Sequence, residues 1–279
     1  MAERPVIRTM TRADMDFAIG LAAAEGWNPG LSDAEAFFAA DPEGFFISEL
    51  NGKPVGTISA VRYPGGFGFV GLYIMVPEAR GKGWGMALWA HALRHLDGCT
   101  VGLDAVTEQE ATYTRSGLAS FYRSARYEGT GSGETPEGLV PLGQIDFSRI
   151  AAYDRRCFPA DRREFLRVWL GAPGVTGYGL VRGNRLAGYG VIRPCLEGHK
   201  IGPLFADDGA AAEALYRGLS AAVPGGKFYL DVIEPNRAAT DLARRHGLEQ
   251  VFVTVRMYTG PEPDMDKGRL FGVTSFELG

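Results

Sequence analysis

Between residues 73 and 89 the chain reads Tyr73-Ile-Met-Val-Pro-Glu-Ala-Arg80-Gly-Lys-Gly83-Trp-Gly85-Met-Ala-Leu-Trp89. This stretch is an apolar strand, then an Arg-x-x-Gly-x-Gly turn, then the pattern of an amphipathic helix. A helix that begins at a glycine turn presents several unpaired backbone N–H groups at the positive end of its dipole. Gly81, Gly83 and Gly85 have no Cβ, so an anionic group can approach the main chain closely. The stretch therefore predicts a cradle for a pyrophosphate.

Two other phosphate-binding motifs do not fit this turn. A P-loop requires Gly-x-x-x-x-Gly-Lys-Ser/Thr, whereas here Lys82 precedes the second glycine and no Ser or Thr follows. The dinucleotide fingerprint Gly-x-Gly-x-x-Gly requires a third glycine three residues after the second. That position is Met86, because the three glycines lie two residues apart. A glycine turn with no ligand stays open as an alternative.

The turn resembles motif A of the GNAT superfamily of acetyl-CoA-dependent N-acetyltransferases, which is Arg/Gln-x-x-Gly-x-Gly/Ala after a short strand. Arg80, Gly83 and Gly85 occupy the three motif positions. The resemblance implies that acetyl-CoA is the acetyl donor and that the strand and turn hold it. The implied cofactor-binding residues are Ile74, Met75, Val76, Arg80, Gly81, Lys82, Gly83, Trp84 and Gly85.

Length and composition set the class of protein. A chain of 279 residues is long for one core, so two domains are expected. Hydrophobic residues make up 46% and charged residues 22%, values that are ordinary for a soluble globular protein. The net charge of -4 indicates neither a nucleic acid nor an anionic membrane as partner. We expect no transmembrane span and no signal peptide.

The cysteines and histidines favour neither a disulfide framework nor a metal. Cys99, Cys157 and Cys195 are odd in number and widely spaced, which favours a reducing cytoplasm. His91 and His95 lie four residues apart on one predicted helix, a spacing that suits a metal. They have no evident third ligand, so we expect no metal site.

The pattern of apolar and turn residues predicts the elements of the first half. Strands are predicted over 5–10, 45–50, 55–63, 67–76, 100–106 and 121–127, and helices over 12–24, 32–41, 83–95 and 108–116. Asn51-Gly52 predicts a hairpin turn. Helix caps are predicted at Thr11, at Ser32 with Glu35, and at Thr107 with Glu110.

The second half repeats the first at an offset of about 130 residues, which indicates two copies of one fold. Ser116-Gly117-Leu118, for example, corresponds to His246-Gly247-Leu248. The predicted fold class is α/β (α+β), with two tandem GNAT-like domains, each a mixed, mostly antiparallel sheet flanked by helices. The predicted boundaries are 1–130 for the catalytic domain, 131–143 for a linker and 144–279 for the second domain.

The second copy lacks the glycine turn. Ala206-Asp-Asp-Gly stands where the first copy has Arg-x-x-Gly-x-Gly, and its two carboxylates would repel a pyrophosphate. This half resembles the degenerate C-terminal domain of some tandem GNAT proteins, so we expect no CoA site in it. After Gly260, residues 271–276 look strand-like; they can add an edge strand, close over a site or cap the fold.

The family resemblance also suggests catalytic residues. Tyr113 lies four residues before Gly117, where the family pattern Tyr-x-x-x-Gly-Phe places the tyrosine that protonates the leaving thiolate. A phenol has a pKa near 10 and can be re-protonated by solvent. Val106 stands where the family often has Asn, so the angle of this helix is open. Asp104 and Glu108 are the candidate bases, with ordered water as the alternative.

Three residues are candidates for binding the acceptor. In this family the loop between the first two helices recognises the acceptor, and here it contains Trp27 and Asn28. Trp27 could form an apolar wall or anchor the turn in the core, and Asn28 supplies a donor and an acceptor. Tyr122 on the last strand is the third candidate.

The predicted reaction is acetyl transfer from acetyl-CoA to a primary amine of a small molecule, by direct attack in a ternary complex. A non-catalytic acyl-CoA sensor and a protein lysine or N-terminal acetyltransferase are the alternatives. The second domain is expected to cover the acceptor cleft or to make a dimer contact. The chain is expected to be a monomer or a homodimer.

Overall fold

The computed structural model describes residues 4–279. Its strands are β1 (Val6–Thr9), β2 (Phe45–Leu50), β3 (Lys53–Tyr63), β4 (Phe67–Met75), β5 (Thr100–Val106), β6 (Ala119–Thr130), β7 (Leu139–Pro141), β8 (Thr176–Arg182), β9 (Arg185–Pro194), β10 (His199–Ala206), β11 (Lys227–Ile233), β12 (Glu249–Tyr258) and β13 (Leu270–Gly272). Its helices are α1 (Asp14–Ala24), α2 (Asp33–Ala40), α3 (Trp84–His95), α4 (Glu110–Arg115), α5 (Phe147–Cys157), α6 (Arg163–Gly171), α7 (Gly209–Ala221) and α8 (Arg237–Arg245). The predicted fold class, mixed and mostly antiparallel sheet with flanking helices, is confirmed.

The strands form one continuous sheet in the order β1-β2-β3-β4-β5-β12-β6-β11-β10-β9-β8-β7, with β13 paired to β10. The pairing at its centre crosses between the two halves of the chain. Strand β12, from the second half, lies between β5 and β6. Strand β6, from the first half, lies between β12 and β11. The two halves are therefore joined by an exchange of strands as well as by the covalent link.

Buried ion pairs reinforce this junction. Arg256 on β12 donates two hydrogen bonds to Asp104 on β5, with nitrogen–oxygen distances of 2.8 and 2.7 Å. Arg126 on β6 binds Asp231 on β11 at 2.7 and 2.8 Å. Each pair joins adjacent strands from different halves. A buried pair of this kind adds specificity of pairing, and removing one partner leaves an uncompensated charge.

The helices cover both faces of the sheet and share their cores across the halves. The largest apolar cluster combines residues of α1, α2, α5 and α6, and Phe37 of α2 stacks on Trp169 of α6 with ring centroids 6.2 Å apart. A second cluster lies under α3, and a third lies under α7 and α8. Among residues 4–279, no helix has both the length and the apolar character needed to cross a bilayer.

Local turn and cap chemistry differs from the prediction at two helices. At α1 the Thr11 hydroxyl accepts the Asp14 N–H at 3.4 Å while the Asp14 carboxylate accepts the Thr11 N–H at 2.7 Å, so the cap at Thr11 is confirmed. The Ser32–Glu35 capping box is wrong, because Ser32 makes no capping hydrogen bond within the described chain. The carboxylate of Asp33, the first residue of α2, accepts the Gly30 N–H from the loop before the helix at 2.8 Å.

The Thr107–Glu110 box is wrong as well. Residues 107–109 form a short 3-10 turn, and no side chain of the described residues caps it or α4. The Glu110 carboxylate accepts the Ser120 hydroxyl at 2.6 Å. The hairpin turn is confirmed, because Asn51 and Gly52 both have positive φ angles, 53° and 74°.

The segment 270–279 is buried between the two halves. It begins as β13, antiparallel to β10, and every residue after Gly272 is buried. The Tyr63 hydroxyl donates to the Leu278 carbonyl at 3.2 Å, and Arg162 donates to the Thr274 hydroxyl at 2.8 Å. The segment 270–279 therefore packs between β10 of the second half and residues of the first half.

Candidate functional site

Strand β4 separates from β5 halfway along its length. The two strands pair in parallel only from Phe67 to Val70. Beyond that point the backbone turns away, with a positive φ of 46° at Leu72 and a shift of register against β3. The Thr57 hydroxyl holds the irregular backbone by donating to the Leu72 carbonyl at 2.9 Å. The separation opens a cleft whose wall is the edge of Gly71 to Met75.

The glycine turn lies at the mouth of this cleft and leads into α3. Gly81 and Gly83 have φ angles of 72° and 76°, in the left-handed region that favours glycine. Gly83 is the N-cap of α3, and within the described part of the chain no side chain caps this helix and its first turn has no acidic residue. The first N–H groups of α3 are therefore free to bind an anion.

The structure requires a glycine at position 85 for a different reason from that at Gly81 and Gly83. A Cβ at this position would lie 2.8 Å from the Tyr73 hydroxyl. The missing side chain therefore lets α3 pack closely on β4. Sequence reasoning assigned Gly85 to ligand approach, and the contact with Tyr73 adds a packing role.

Arg80 connects the turn to both walls of the cleft. Its Nε donates to the Met75 carbonyl at 2.8 Å, and its guanidinium forms an ion pair with Glu25 in the loop between α1 and α2. Beside it, the Lys82 ammonium lies 4.8 Å from the centre of the Trp84 ring. The Arg80 side chain thus holds the end of β4 next to the α1–α2 loop.

A cavity of about 610 Å³ occupies the cleft. It extends from the glycine turn, past the open edge of β4, to β5, α4 and the α1–α2 loop. Of the residues predicted from the sequence, those that line it are Trp27, Ile74, Met75, Arg80, Gly81, Gly83, Gly85, Asp104 and Tyr113. Those that lie outside its lining are Asn28, Val76, Lys82, Trp84, Glu108 and Tyr122.

Tyr113 projects from α4 into the cavity and packs on Trp89 of α3, with ring centroids 5.4 Å apart. Burial, and then the neighbouring Tyr73, raise the pKa of the Tyr113 phenol above its usual value of 10. The phenol is therefore protonated throughout the neutral range, as a proton donor must be.

The two predicted bases have different surroundings. Asp104 lines the cavity, but both its oxygens accept hydrogen bonds from Arg256 and its side chain is fully buried. Burial disfavours the charge of Arg256, but Asp104, Tyr122 and Tyr258 together outweigh this effect, and the pKa of Arg256 is raised well above its usual value. Glu108 is exposed in the short turn before α4. Neither carboxylate is both free and in the cavity, and their catalytic roles stay predictions.

The two candidate acceptor-binding residues of the α1–α2 loop make different contacts. Trp27 lines the cavity and also packs against the largest apolar cluster. Its carbonyl accepts hydrogen bonds from Arg126 at 3.1 Å and Lys200 at 3.0 Å. The Asn28 side chain instead donates to the Glu197 carbonyl and accepts its N–H, both at 2.8 Å. Asn28 therefore ties the loop to the β9–β10 turn.

Tyr122 lies on β6 beside Arg256, with the guanidinium 5.8 Å from the centre of its ring. Burial raises its pKa well above the usual value. It shares a face of the strand with Arg126, which does line the cavity. Tyr122 thus lies four residues along β6 from Arg126 and outside the cavity lining.

Sequence reasoning missed several residues of the second half that line the cavity. These residues are Phe252 and Thr254 on β12, and Phe276 and Glu277 in the segment 270–279. No local pattern marks them, because they reach the first half only through the exchange of β12 and the path of the final segment. From the sequence alone, these four residues belong to the second copy.

At the start of α7 the second half has two carboxylates, whereas the start of α3 in the first half has no capping side chain within the described residues. The Asp208 carboxylate caps α7 by accepting the Ala211 N–H at 2.8 Å, and it pairs with Arg182. Asp207 accepts hydrogen bonds from Arg269 and Tyr153, both at 2.9 Å. The positive end of α7 is therefore already compensated by the protein itself.

Each half of the chain matches a known protein family. Residues 10–125 match the family described as Acetyltransferase (GNAT) family, and residues 150–272 match the Acetyltransferase (GNAT) domain. Holothin acyltransferase of Pseudoalteromonas sp. (strain SANK 73390) is 32% identical over 261 residues, which are 92% of this chain and 89% of that protein. Both halves are thus matched separately and one relative spans nearly the whole chain.

Solved structures show the same arrangement of the fold. The crystal structure of a putative acetyltransferase from Pyrococcus horikoshii has a TM-score of 0.85 at 23% identity, covering 100% of this chain and 97% of that one. A tandem GNAT protein from the clavulanic acid biosynthesis pathway has a TM-score of 0.63 at 14% identity, covering 93% and 100%.

Proposed function

Because this chain belongs to the GNAT family and is an acyltransferase with a GNAT unit in each half, we propose that it transfers the acetyl group of acetyl-CoA to a primary amine of a small molecule. One observation carries the proposal. The free start of α3 and the open edge of β4 face the same cavity. The N–H groups at the start of α3 suit a pyrophosphate. The unpaired backbone groups of β4 suit an arm that carries amides, and the two sites are continuous.

In this proposal the donor lies along the first half. The N–H groups from Gly81 to Gly85 hold the pyrophosphate, with Arg80, Lys82 and Trp84 beside it. The edge of Ile74, Met75 and Val76 pairs with the pantetheine arm, and a backbone N–H near Met75 polarises the thioester carbonyl. The unit 1–130 supplies these contacts, and the unit 144–279, joined by 131–143, supplies the far wall of the cavity.

The proposed reaction is a direct attack in a ternary complex. The amine nitrogen bonds to the thioester carbon, the carbon–sulfur bond breaks, and Tyr113 gives its proton to the departing thiolate. Solvent then returns the proton to Tyr113. Asp104 and Glu108 stay candidates for handling the proton of the amine, although the first is engaged by Arg256 and the second is exposed.

The shape of the cavity supports a small acceptor. The aromatic residues Trp27, Phe252 and Phe276 line the cavity. A peptide chain needs an open groove, whereas these aromatic walls come from three separate segments of the chain. The relative named for holothin supports the same choice, and we include holothin among the acceptors to be tested.

The test is acetyl-CoA consumption by the purified protein with a panel of amino acids, polyamines, amino sugars and holothin, next to calorimetry with CoA. We expect CoA binding and release of free thiol with at least one amine. Absence of heat with CoA contradicts the proposal. Tight CoA binding with no acceptor turned over instead favours an acyl-CoA sensor, and acetylation of proteins alone favours a protein acetyltransferase.

A further inference from the structure

Three carboxylates line the cavity, and two of them are already engaged. Glu25 forms an ion pair with Arg80 at the glycine turn. Asp104 is held by both nitrogens of Arg256. The third is Glu277, and among residues 4–279 no donor lies within hydrogen-bond or ion-pair distance of its side chain. Glu277 as a residue is nevertheless only 5% exposed, and it lines the cavity.

The backbone around Glu277 is held firmly against β4. The Glu277 carbonyl approaches the backbone of Gly71 so closely that a Cβ there would lie 2.1 Å away. One residue further on, the Leu278 N–H donates to the Ser275 hydroxyl at 3.2 Å, and the Leu278 carbonyl accepts from Tyr63. Glu277 therefore lines the cavity next to the point where β4 leaves β5, on a main chain that is held in place by these contacts.

The charges around Glu277 are positive, and each is used elsewhere. Arg126, Arg193 and Lys200 all interact electrostatically with Glu277. Arg126 is bound to Asp231, and Arg193 to Asp33 at 2.8 Å. None of these three cations forms an ion pair with Glu277 within residues 4–279. The carboxylate thus keeps its hydrogen-bonding capacity for a ligand.

A second polar group of the cavity also has no partner. The Thr254 hydroxyl on β12 is buried, with the residue 2% exposed, and makes no hydrogen bond within the described chain. Opposite it on β6, the buried Ser124 hydroxyl is likewise unpartnered in residues 4–279. A buried hydroxyl without a partner costs about 1–3 kcal/mol. A ligand that supplies hydrogen bonds here relieves that cost.

We propose that Glu277 and Thr254 form the acceptor-amine subsite, with Glu277 as the base. This inference rests on the proposed function. The amino group donates to the Glu277 carboxylate, and a polar atom of the acceptor binds Thr254. As the nitrogen–carbon bond forms and the carbon–sulfur bond breaks, the N–H proton passes to Glu277 while Tyr113 protonates the thiolate. Solvent restores both groups.

The walls next to Glu277 and Thr254 define the class of acceptor. Trp27, Phe252 and Phe276 are aromatic, and Val70 and Leu103 are aliphatic. The acceptor is therefore a compact amine with a flat, apolar body. Polyamines and amino sugars, with several charges or hydroxyls, would leave polar groups unpaired against these walls.

The experiment compares Glu277→Gln with the wild type and with Glu137→Gln, a change at an exposed glutamate. We expect Glu277→Gln to lower the acceptor-dependent kcat about 10²- to 10³-fold, with the affinity for acetyl-CoA unchanged. Glu137→Gln is expected to match the wild type. Thr254→Val is expected to raise the acceptor KM about tenfold, with kcat changed much less.

The outcomes separate this inference from the proposed function. Full acceptor-dependent turnover by Glu277→Gln, next to active wild type, overturns the inference alone. Wild type that binds acetyl-CoA but acetylates no amine contradicts both. If Glu277→Gln does not fold, Glu277→Asp keeps the charge but shortens its reach. Wild-type kcat and acceptor KM in both Glu277→Asp and Thr254→Val then overturn the inference.

Discussion

Tyr113 combines a cavity position with a phenol that resists ionisation. Replacement by Phe keeps the packing on Trp89 and removes only the hydroxyl. We expect Tyr113→Phe to lower kcat about 10²-fold and to leave CoA affinity unchanged, as measured by steady-state kinetics and calorimetry. An unchanged kcat would mean that the thiolate takes its proton from water.

The raised pKa of Tyr113 also sets an expectation for alkaline conditions. Because burial raises this pKa above 10, the protonated donor persists as the pH rises and is lost only above the usual value. We therefore expect no fall in kcat from this group between about pH 7 and pH 10. A decline that is present in the wild type below pH 10 and absent in Tyr113→Phe would contradict the assignment.

Replacing Asp104 tests whether this carboxylate of the cavity is a catalytic base or stabilises the fold. Asp104→Asn leaves the buried Arg256 charge uncompensated, so we expect a loss of about 3–5 kcal/mol in the free energy of unfolding in urea. The matched control is Asp16→Asn, whose ion pair with Arg12 is exposed, with an expected change below about 1 kcal/mol. Normal stability with strongly reduced kcat would instead support Asp104 as the base.

At the scale of elements, α3 and α7 start in corresponding places with opposite chemistry. Gly83, with its positive φ, frees the start of α3, whereas Asp208 caps α7. Gly83→Ala forces a non-glycine residue into the left-handed region, at about 1–2 kcal/mol. We expect CoA affinity to fall about tenfold by calorimetry, since a strained turn moves the N–H groups.

The control for that prediction comes from the second copy. Gly209 is the first residue of α7, and a Cβ there meets nothing within 4 Å. We expect Gly209→Ala to leave CoA affinity unchanged. Equal losses in the two variants would show that the effect is one of general stability rather than of the turn at Gly83.

Elements were predictable from the sequence where their signals are local. Strands β2 and β5 have the predicted bounds, and α3 begins one residue later than predicted, because apolar alternation and glycine turns act over a few residues. The two capping boxes failed because Glu35 and Glu110 find partners at a distance, in Arg12 and Ser120. The glycine turn and Tyr113 were identified in the same local way.

The far wall of the cavity could not be predicted from the sequence. Phe252 and Thr254 lie on a strand whose alternation is visible, but nothing in that pattern says that its neighbours are β5 and β6. Glu277 has no motif, and its place depends on the pairing of β13 with β10. Pairing between distant strands is decided by the packing of the whole molecule.

At the scale of the whole molecule, the exchange of β6 and β12 makes each half depend on the other. A chain ending at Leu248 lacks β12, so β5 and β6 lose the strand between them, and Arg256 no longer pairs with Asp104. We expect this truncated protein to be insoluble or to lack a cooperative melting transition and CoA binding. A soluble, cooperatively melting fragment that binds CoA would contradict the dependence.

The same exchange has a consequence during synthesis on the ribosome. Strand β5 ends at Val106, but the neighbour that completes it is made only when residues 249–258 emerge. At about 5–20 residues per second, that wait is on the order of ten seconds. During this wait the nascent polypeptide exposes an unfinished sheet edge, to which chaperones can bind until residues 249–258 emerge.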